Sequence, residues 1–149
     1  MKIPHEKIMG LAGFYLRLMI GFTLLSAVAD RFGLWGDPGS EGVAWGNWEN
    51  FVTYTHQLNA FAGIALAKVL AIVATLLEIV LGTALILGYK TRWAALGAGI
   101  LTLLFALAMT YAFGIKAPLD YSVFIDSAAG LLLAGIPTYK WSIDQQLSI

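Results

Sequence analysis

The sequence predicts an all-α membrane protein, a four-helix bundle whose one long extracytoplasmic loop carries an interfacial amphipathic helix. Three observations lead there. The 149 residues are 59% hydrophobic and only 12% charged, against roughly 25% charged in a soluble domain, so a single domain over 1–149 cannot cover itself with polar surface. Four apolar stretches approach the roughly 20 residues needed to cross about 30 Å of hydrocarbon. Backbone in lipid must satisfy its own N–H and C=O groups in helices or a closed barrel, and no alternating ten-residue pattern suggests barrel strands.

The first stretch runs from about Met9 to Ala29, the second from about Val69 to Tyr89, the third from Trp93 to Phe113 and the fourth, the shortest, from about Tyr121 to Pro137. Leu, Ala and Gly dominate them, as in helices that pack closely in lipid. Lys2 and Lys7 before an apolar run ending in Ala27-Val28-Ala29 imitate a signal peptide. Arg17 interrupts that run, so the segment is read as a retained span.

Sidedness follows from the short loops, because Lys and Arg favour the cytoplasmic side. Lys2, Lys7, Lys90, Arg92 and Lys140 fall on one side. Arg31, Lys68 and Lys116 fall on the other, diluted by Asp37, Glu41, Glu49 and Asp120. The expectation is a multi-pass plasma (inner) membrane protein with both termini cytoplasmic.

Residues 30–68 form the external loop. Its opening, Gly33 to Ser40, holds Pro38 and three glycines and cannot stay helical. Further on, Trp45, Trp48, Phe51, Val52, Thr55 and Leu58 recur at three- and four-residue spacing, which describes an amphipathic helix lying at headgroup depth. Two readings stand: a lid over the bundle mouth, or one wall of a site for a flat apolar ligand with His56 as its titratable group.

Charges at bilayer depth cost several kcal/mol unless paired or hydrated, and so mark function. Arg17 and Glu78 are each about ten residues, or about 15 Å, from the nearest terminal lysine, which places both near the midplane. Asp126 lies about five residues inside the fourth span. Small residues beside a charge indicate helix contact: Gly13, Arg17 and Gly21 share one face, as do Ala71, Thr75, Glu78 and Gly82, then Ala98, Thr102, Ala106 and Thr110, then Ser122, Asp126 and Gly130. The four faces are expected to meet in one polar interior. With one cation against two carboxylates, the missing positive charge is a shared proton, Arg31 swung inward, or a bound cation. An Arg17–Glu78 pair fixing helix register is one reading. Proton handling by a carboxylate of raised pKa is the other.

The remaining composition excludes whole classes of function. Nine basic and nine acidic residues leave no surplus for phosphate neutralisation, so nucleic-acid binding is not expected. Without cysteine there is no thiol relay, iron–sulfur ligation or covalent haem. His5 and His56 lie on opposite sides in this topology, so no metal site is expected.

The motifs Arg17-Leu-Met-Ile-Gly21, then Arg31, then Glu78-Ile-Val-Leu-Gly82, then Gly88-Tyr-Lys-Thr91-Arg92, in that order and spacing, resemble the DoxX family, including its DoxD-like members. The likeness covers nearly the whole chain. It implies a four-helix membrane protein associated with quinone-linked redox systems and oxidative-stress complexes. Two positions depart from the family pattern: the residue closing the first span is usually Lys where Arg31 stands, and a Gly usual three residues earlier is Val28. An arginine cannot give up a proton as a lysine can.

These features lead to a quinone-facing or membrane-anchoring subunit of an oxidoreductase system. Glu78, Arg17 and Asp126 form its proton-handling interior, with Arg31, Trp45, Trp48 and His56 as a quinone or lipid site. Quinone is the expected non-covalent cofactor. Bilayer lipid, redox proteins and a second copy of the chain are the expected partners. A small-solute or proton carrier is one alternative, which internal symmetry or broken helices would favour. A structural assembly factor is the other.

Overall fold

The computed structural model describes residues 4–147 and is all-helical over them. Lys2, one of the residues on which the sidedness rests, lies outside this range. The long elements are α1 (His5–Arg31), α3 (Ile64–Leu87) and α4 (Thr91–Phe113), each apolar and long enough to cross a membrane. Between α1 and α3 lies α2 (Trp48–Leu58); after α4 come α5 (Lys116–Asp120), α6 (Val123–Ala134) and α7 (Ile143–Leu147). The expected fourth span is therefore broken. Only α6 is a regular helix there, and its 12 residues cover about 18 Å, with Ser122 in the left-handed region at φ 58° where α6 begins.

Backbone approach at glycines fixes how α1 lies against α3. A Cβ on Gly21 would meet the Gly82 carbonyl oxygen at 2.9 Å, and one on Gly82 would meet that of Gly21 at 3.0 Å. The two helices run antiparallel from this point, so Arg17 falls beside Gly88 and Arg31 beside Thr75 and Glu78. A second close pair joins α4 to α6: a Cβ on Gly130 would meet the Gly99 nitrogen at 2.7 Å, and Ser127 Oγ donates to the Gly99 carbonyl at 2.8 Å. Between these pairs Ile20, Leu24, Leu85, Ala95, Ala98 and Leu133 make the apolar core. Its small members, Ala95 and Ala98, with the paired glycines, keep the helices near enough for dispersion to replace the hydrophobic drive that lipid removes.

Two turns close the bundle at the face that carries the termini. Gly88, at φ 69°, ends α3 in the left-handed conformation that spares a Cβ its clash. A Cβ there would collide with the Arg17 guanidinium. Asp144 then caps α4, its two carboxylate oxygens accepting from the N–H groups of Lys90 at 2.6 Å and Thr91 at 2.7 Å, which suits the positive end of a helix. At the opposite face α2 begins with Asn47, whose side chain accepts from Asn50 N–H at 2.8 Å. Phe51, Val52, Thr55 and Leu58 turn inward from α2, so the amphipathic pattern is realised as a cover over the loop end.

Candidate functional site

Charge chemistry gathers beneath that cover. The guanidinium of Arg31, at the last turn of α1, donates to both carboxylate oxygens of Glu78: Nη2 reaches Oε1 at 2.9 Å and Nη1 pairs with Oε2. Nη1 also donates to the Thr75 hydroxyl at 2.7 Å, and that hydroxyl donates to the Ala71 carbonyl at 2.8 Å. The two charged residues are each 2% exposed. A two-pronged pair of this kind is the strongest geometry arginine offers a carboxylate, and it leaves the site neutral.

The loop locks Arg31 from above. Its guanidinium carbon stands 3.7 Å from the Phe51 ring centre and 5.2 Å from that of Trp45, within cation–π range. Asp30 holds the loop down, one carboxylate oxygen accepting from Ala44 N–H at 3.1 Å and Trp45 N–H at 2.8 Å. Among the described residues the other Asp30 oxygen and Arg31 Nε are buried without a partner. In the loop wall, burial raises the Tyr54 phenol above its ordinary value, helped by Tyr121, so it stays a protonated hydrogen-bond donor at neutral pH.

An open groove of about 380 Å³ runs down the outside of this cluster, lined by Phe32, Trp48, Ile72, Thr75, Leu76 and Ile79. Phe32 and Trp48 stack at its upper end, ring centres 6.1 Å apart and planes within 10°. Its walls are apolar and lie along α3, a membrane-length helix. Thr75 is the one polar residue in the lining, and the Arg31–Glu78 pair lies directly behind it.

Arg31 and Glu78, read as parts of two different sites, are brought together, and inward rotation of Arg31 is how the interior is neutralised. The expected Arg17–Glu78 pair does not form. In the Gly21–Gly82 register, Arg17 lies beside Gly88, ten residues and so about 15 Å along α3 from Glu78. It is therefore level with the end of α3 and not with Glu78. There its Nη2 donates to the Trp141 carbonyl at 2.7 Å, while Phe14 and Trp141 pack edge to face beside it at 5.1 Å. Asp126 does not join the cluster. The contact stripe of α6 is Ser127, Gly130 and Ala134, one residue round from the expected Ser122 and Asp126, because the close approach of Gly130 to Gly99 sets that face. Asp126 is half-buried, and its side chain has no hydrogen bond among the described residues, only its N–H donating to the Ser122 carbonyl.

Of the loop residues, Trp45 roofs Arg31 and Trp48 walls the groove. His56 is half-buried on α2 and makes no hydrogen bond to the cluster. Phe32 and Asp144 are the residues of consequence that the sequence reading did not single out, and Phe51 was read only as part of the apolar stripe of the loop helix. For Asp144 the signal was weak, since its ligands are peptide N–H groups more than fifty residues away.

The DoxX family model matches residues 12–112, from the first turns of α1 through α4. The chain belongs to the DoxX family. That match takes in both members of the Arg31–Glu78 pair, Thr75, the whole of α2 and the groove lining, while Asp126 and the strap after α6 lie beyond it. No curated protein and no solved structure matches the chain.

Proposed function

We propose that this DoxX-family membrane protein is the quinone-facing subunit of a membrane redox system, and that quinone enters from the bilayer along the groove of Phe32, Trp48 and Thr75. One observation carries this reading: an apolar groove on the lipid side of a membrane helix whose single polar wall residue is hydrogen-bonded to a buried Arg–Glu pair. Stacked Phe32 and Trp48 suit a flat ring, and the aliphatic wall of Ile72, Leu76 and Ile79 suits an isoprenoid tail. Thr75 is the polar group a quinone oxygen would meet, its hydroxyl turning from the Ala71 carbonyl to donate to it, and Glu78, behind it in the Arg31 pair, is the group that exchanges a proton. Electrons come from a partner redox protein, since the chain has no cysteine to relay them.

The test is retention of ubiquinone or menaquinone by the purified protein, together with quenching of tryptophan fluorescence in phosphatidylcholine vesicles. Saturable quenching is expected from the native chain and loss of retained quinone from Ile79→Trp, which fills the groove. Quenching that rises linearly with quinone in both proteins refutes the reading.

The carrier alternative is favoured by one specific feature, the break at Tyr121–Ser122 with Asp126 in the first turn of the helix after it. Broken helices with a nearby ionisable group recur in carriers. Proton uptake that depends on Asp126 and not on Glu78 would select it.

A further inference from the structure

A second arrangement of charge lies near the middle of α1, about 20 Å from Arg31, which stands fourteen residues further along the helix. Arg17 is 1% exposed. Its Nη2 is used by the Trp141 carbonyl, but Nε and Nη1 are buried and have no acceptor among the described residues. The carboxylate within electrostatic range is Asp144, whose oxygens are committed to the N–H groups of Lys90 and Thr91. Arg17 is thus a buried cation with spare donors and no carboxylate of its own, an arrangement that costs more than almost any other unless an anion completes it.

Beside Arg17 a narrow crevice separates α1 from the strap that follows α6, with Gly10 and Gly13 on one wall and Thr138 and Lys140 on the other. The Lys140 stem lies over Gly10 so closely that a Cβ there would meet its Cδ at 2.5 Å and its Nζ at 3.2 Å. Two cations therefore share one crevice. Tyr139 is fixed, its hydroxyl donating to the Leu133 carbonyl at 3.1 Å. Burial raises its phenol above the ordinary value, an effect that Arg92 opposes and Asp144 reinforces, so it remains neutral and brings no negative charge.

The level of the crevice narrows the class of anion. Exposed Tyr15, Tyr89, Trp93 and Trp141 ring the bundle at this height, as aromatic side chains do where hydrocarbon meets headgroups. Lys7, Lys90 and Arg92 stand exposed at the same face against Glu6, which attracts anionic lipid. We propose that Arg17 and Lys140 form a site for a phosphate group, closed in the present structure by the Lys140 stem and opened when that flexible side chain swings to join the ligand. A lipid headgroup and free phosphate offer the same chemistry to such a site. The proposal is independent of the quinone groove, since no residue is shared.

The full-length protein is tested in two arms. Native mass spectrometry after exposure to phosphatidylcholine vesicles containing phosphatidylglycerol should show the anionic lipid retained by the native chain. Lys140→Gln should weaken retention about tenfold, equivalent to about 1.4 kcal/mol, while Arg92→Gln, an exposed charge at the same face, leaves it unchanged. In the second arm, inorganic phosphate is added to the detergent-solubilised protein and thermal unfolding is followed. A stabilisation by phosphate that Lys140→Gln abolishes supports the site with a soluble ligand; retention of lipid without that stabilisation supports it with the headgroup. The Arg17→Lys variant should weaken either ligand and remain folded, because a cation is kept near the Trp141 carbonyl. Neither ligand bound, or equal losses for Arg92→Gln and Lys140→Gln, overturns the proposal and leaves only surface attraction.

Discussion

Arg31 and Arg17 stand fourteen residues apart on one helix and are both buried, yet they are neutralised in different ways. Arg31 has a carboxylate in two-pronged contact, a hydroxyl, and an aromatic ring over its face. Arg17 has one peptide carbonyl and a carboxylate already committed elsewhere. A carbonyl supplies a dipole where a desolvated cation needs a charge, so the first cation is neutralised, with only its Nε left over, and the second is not. The difference teaches that burial alone does not identify the working arginine. What matters is whether its donors are spent, and on what.

The largest expected effect tests the completed site. Glu78→Gln leaves Arg31 as an unpaired buried cation and should lower stability by about 3 to 5 kcal/mol, read as a fall in thermal unfolding temperature in detergent. Removing both partners in Arg31→Met with Glu78→Met should recover most of that loss, since two apolar side chains of similar length need no counter-charge. A double variant as unstable as Glu78→Gln would show that the pair does more than neutralise itself.

A smaller effect is expected at the cap that orders the strap. Asp144→Asn keeps one acceptor for the two N–H groups of Lys90 and Thr91 and removes the negative charge near Arg17. It should cost about 1 to 2 kcal/mol, in the range of a lost helix cap, and hydrogen exchange at Lys90 and Thr91 should rise with it. Next comes Thr75→Val, which removes one hydroxyl from a neutral, satisfied pair and should cost about 1 kcal/mol. If the groove serves quinone, that variant should also lower quinone affinity while folding normally, whereas a merely structural threonine would leave affinity unchanged.

Asp126→Asn should be the mildest, within about 0.5 kcal/mol of the native stability, because the Asp126 side chain makes no hydrogen bond among the described residues. Its value is diagnostic. Proton flux into reconstituted vesicles that vanishes with this substitution would move the functional centre from Arg31–Glu78 to the broken fourth element.

Much of this was legible in the chain. Composition and run length fix the membrane class, because every apolar residue left in water raises the free energy and only helices or a closed barrel satisfy backbone in lipid. The inward faces of α1 and α3 were readable from small residues beside charges: Gly13, Arg17 and Gly21, and Ala71, Thr75, Glu78 and Gly82, are all buried. The three- and four-residue spacing in the loop gave α2, since a helix that covers an apolar surface needs one apolar stripe.

What the sequence could not decide was which charge meets which. Arg17 and Glu78 look equally deep when each is counted from its own end, but depth in a bundle is set by where two backbones touch, and that contact is between Gly21 and Gly82. A shift of the touching point by about three turns exchanges one arginine for the other as the partner of Glu78, while composition, periodicity and span lengths stay the same. The face of α6 was hidden for a similar reason, because the approach of Gly130 to Gly99 rotates Asp126 out of the contact stripe. Local pattern thus determined the three long helices, α2, and the buried sides of α1 and α3. The register between them, and with it the pairing of the charges, was decided by close packing of backbone against backbone, which no single segment encodes.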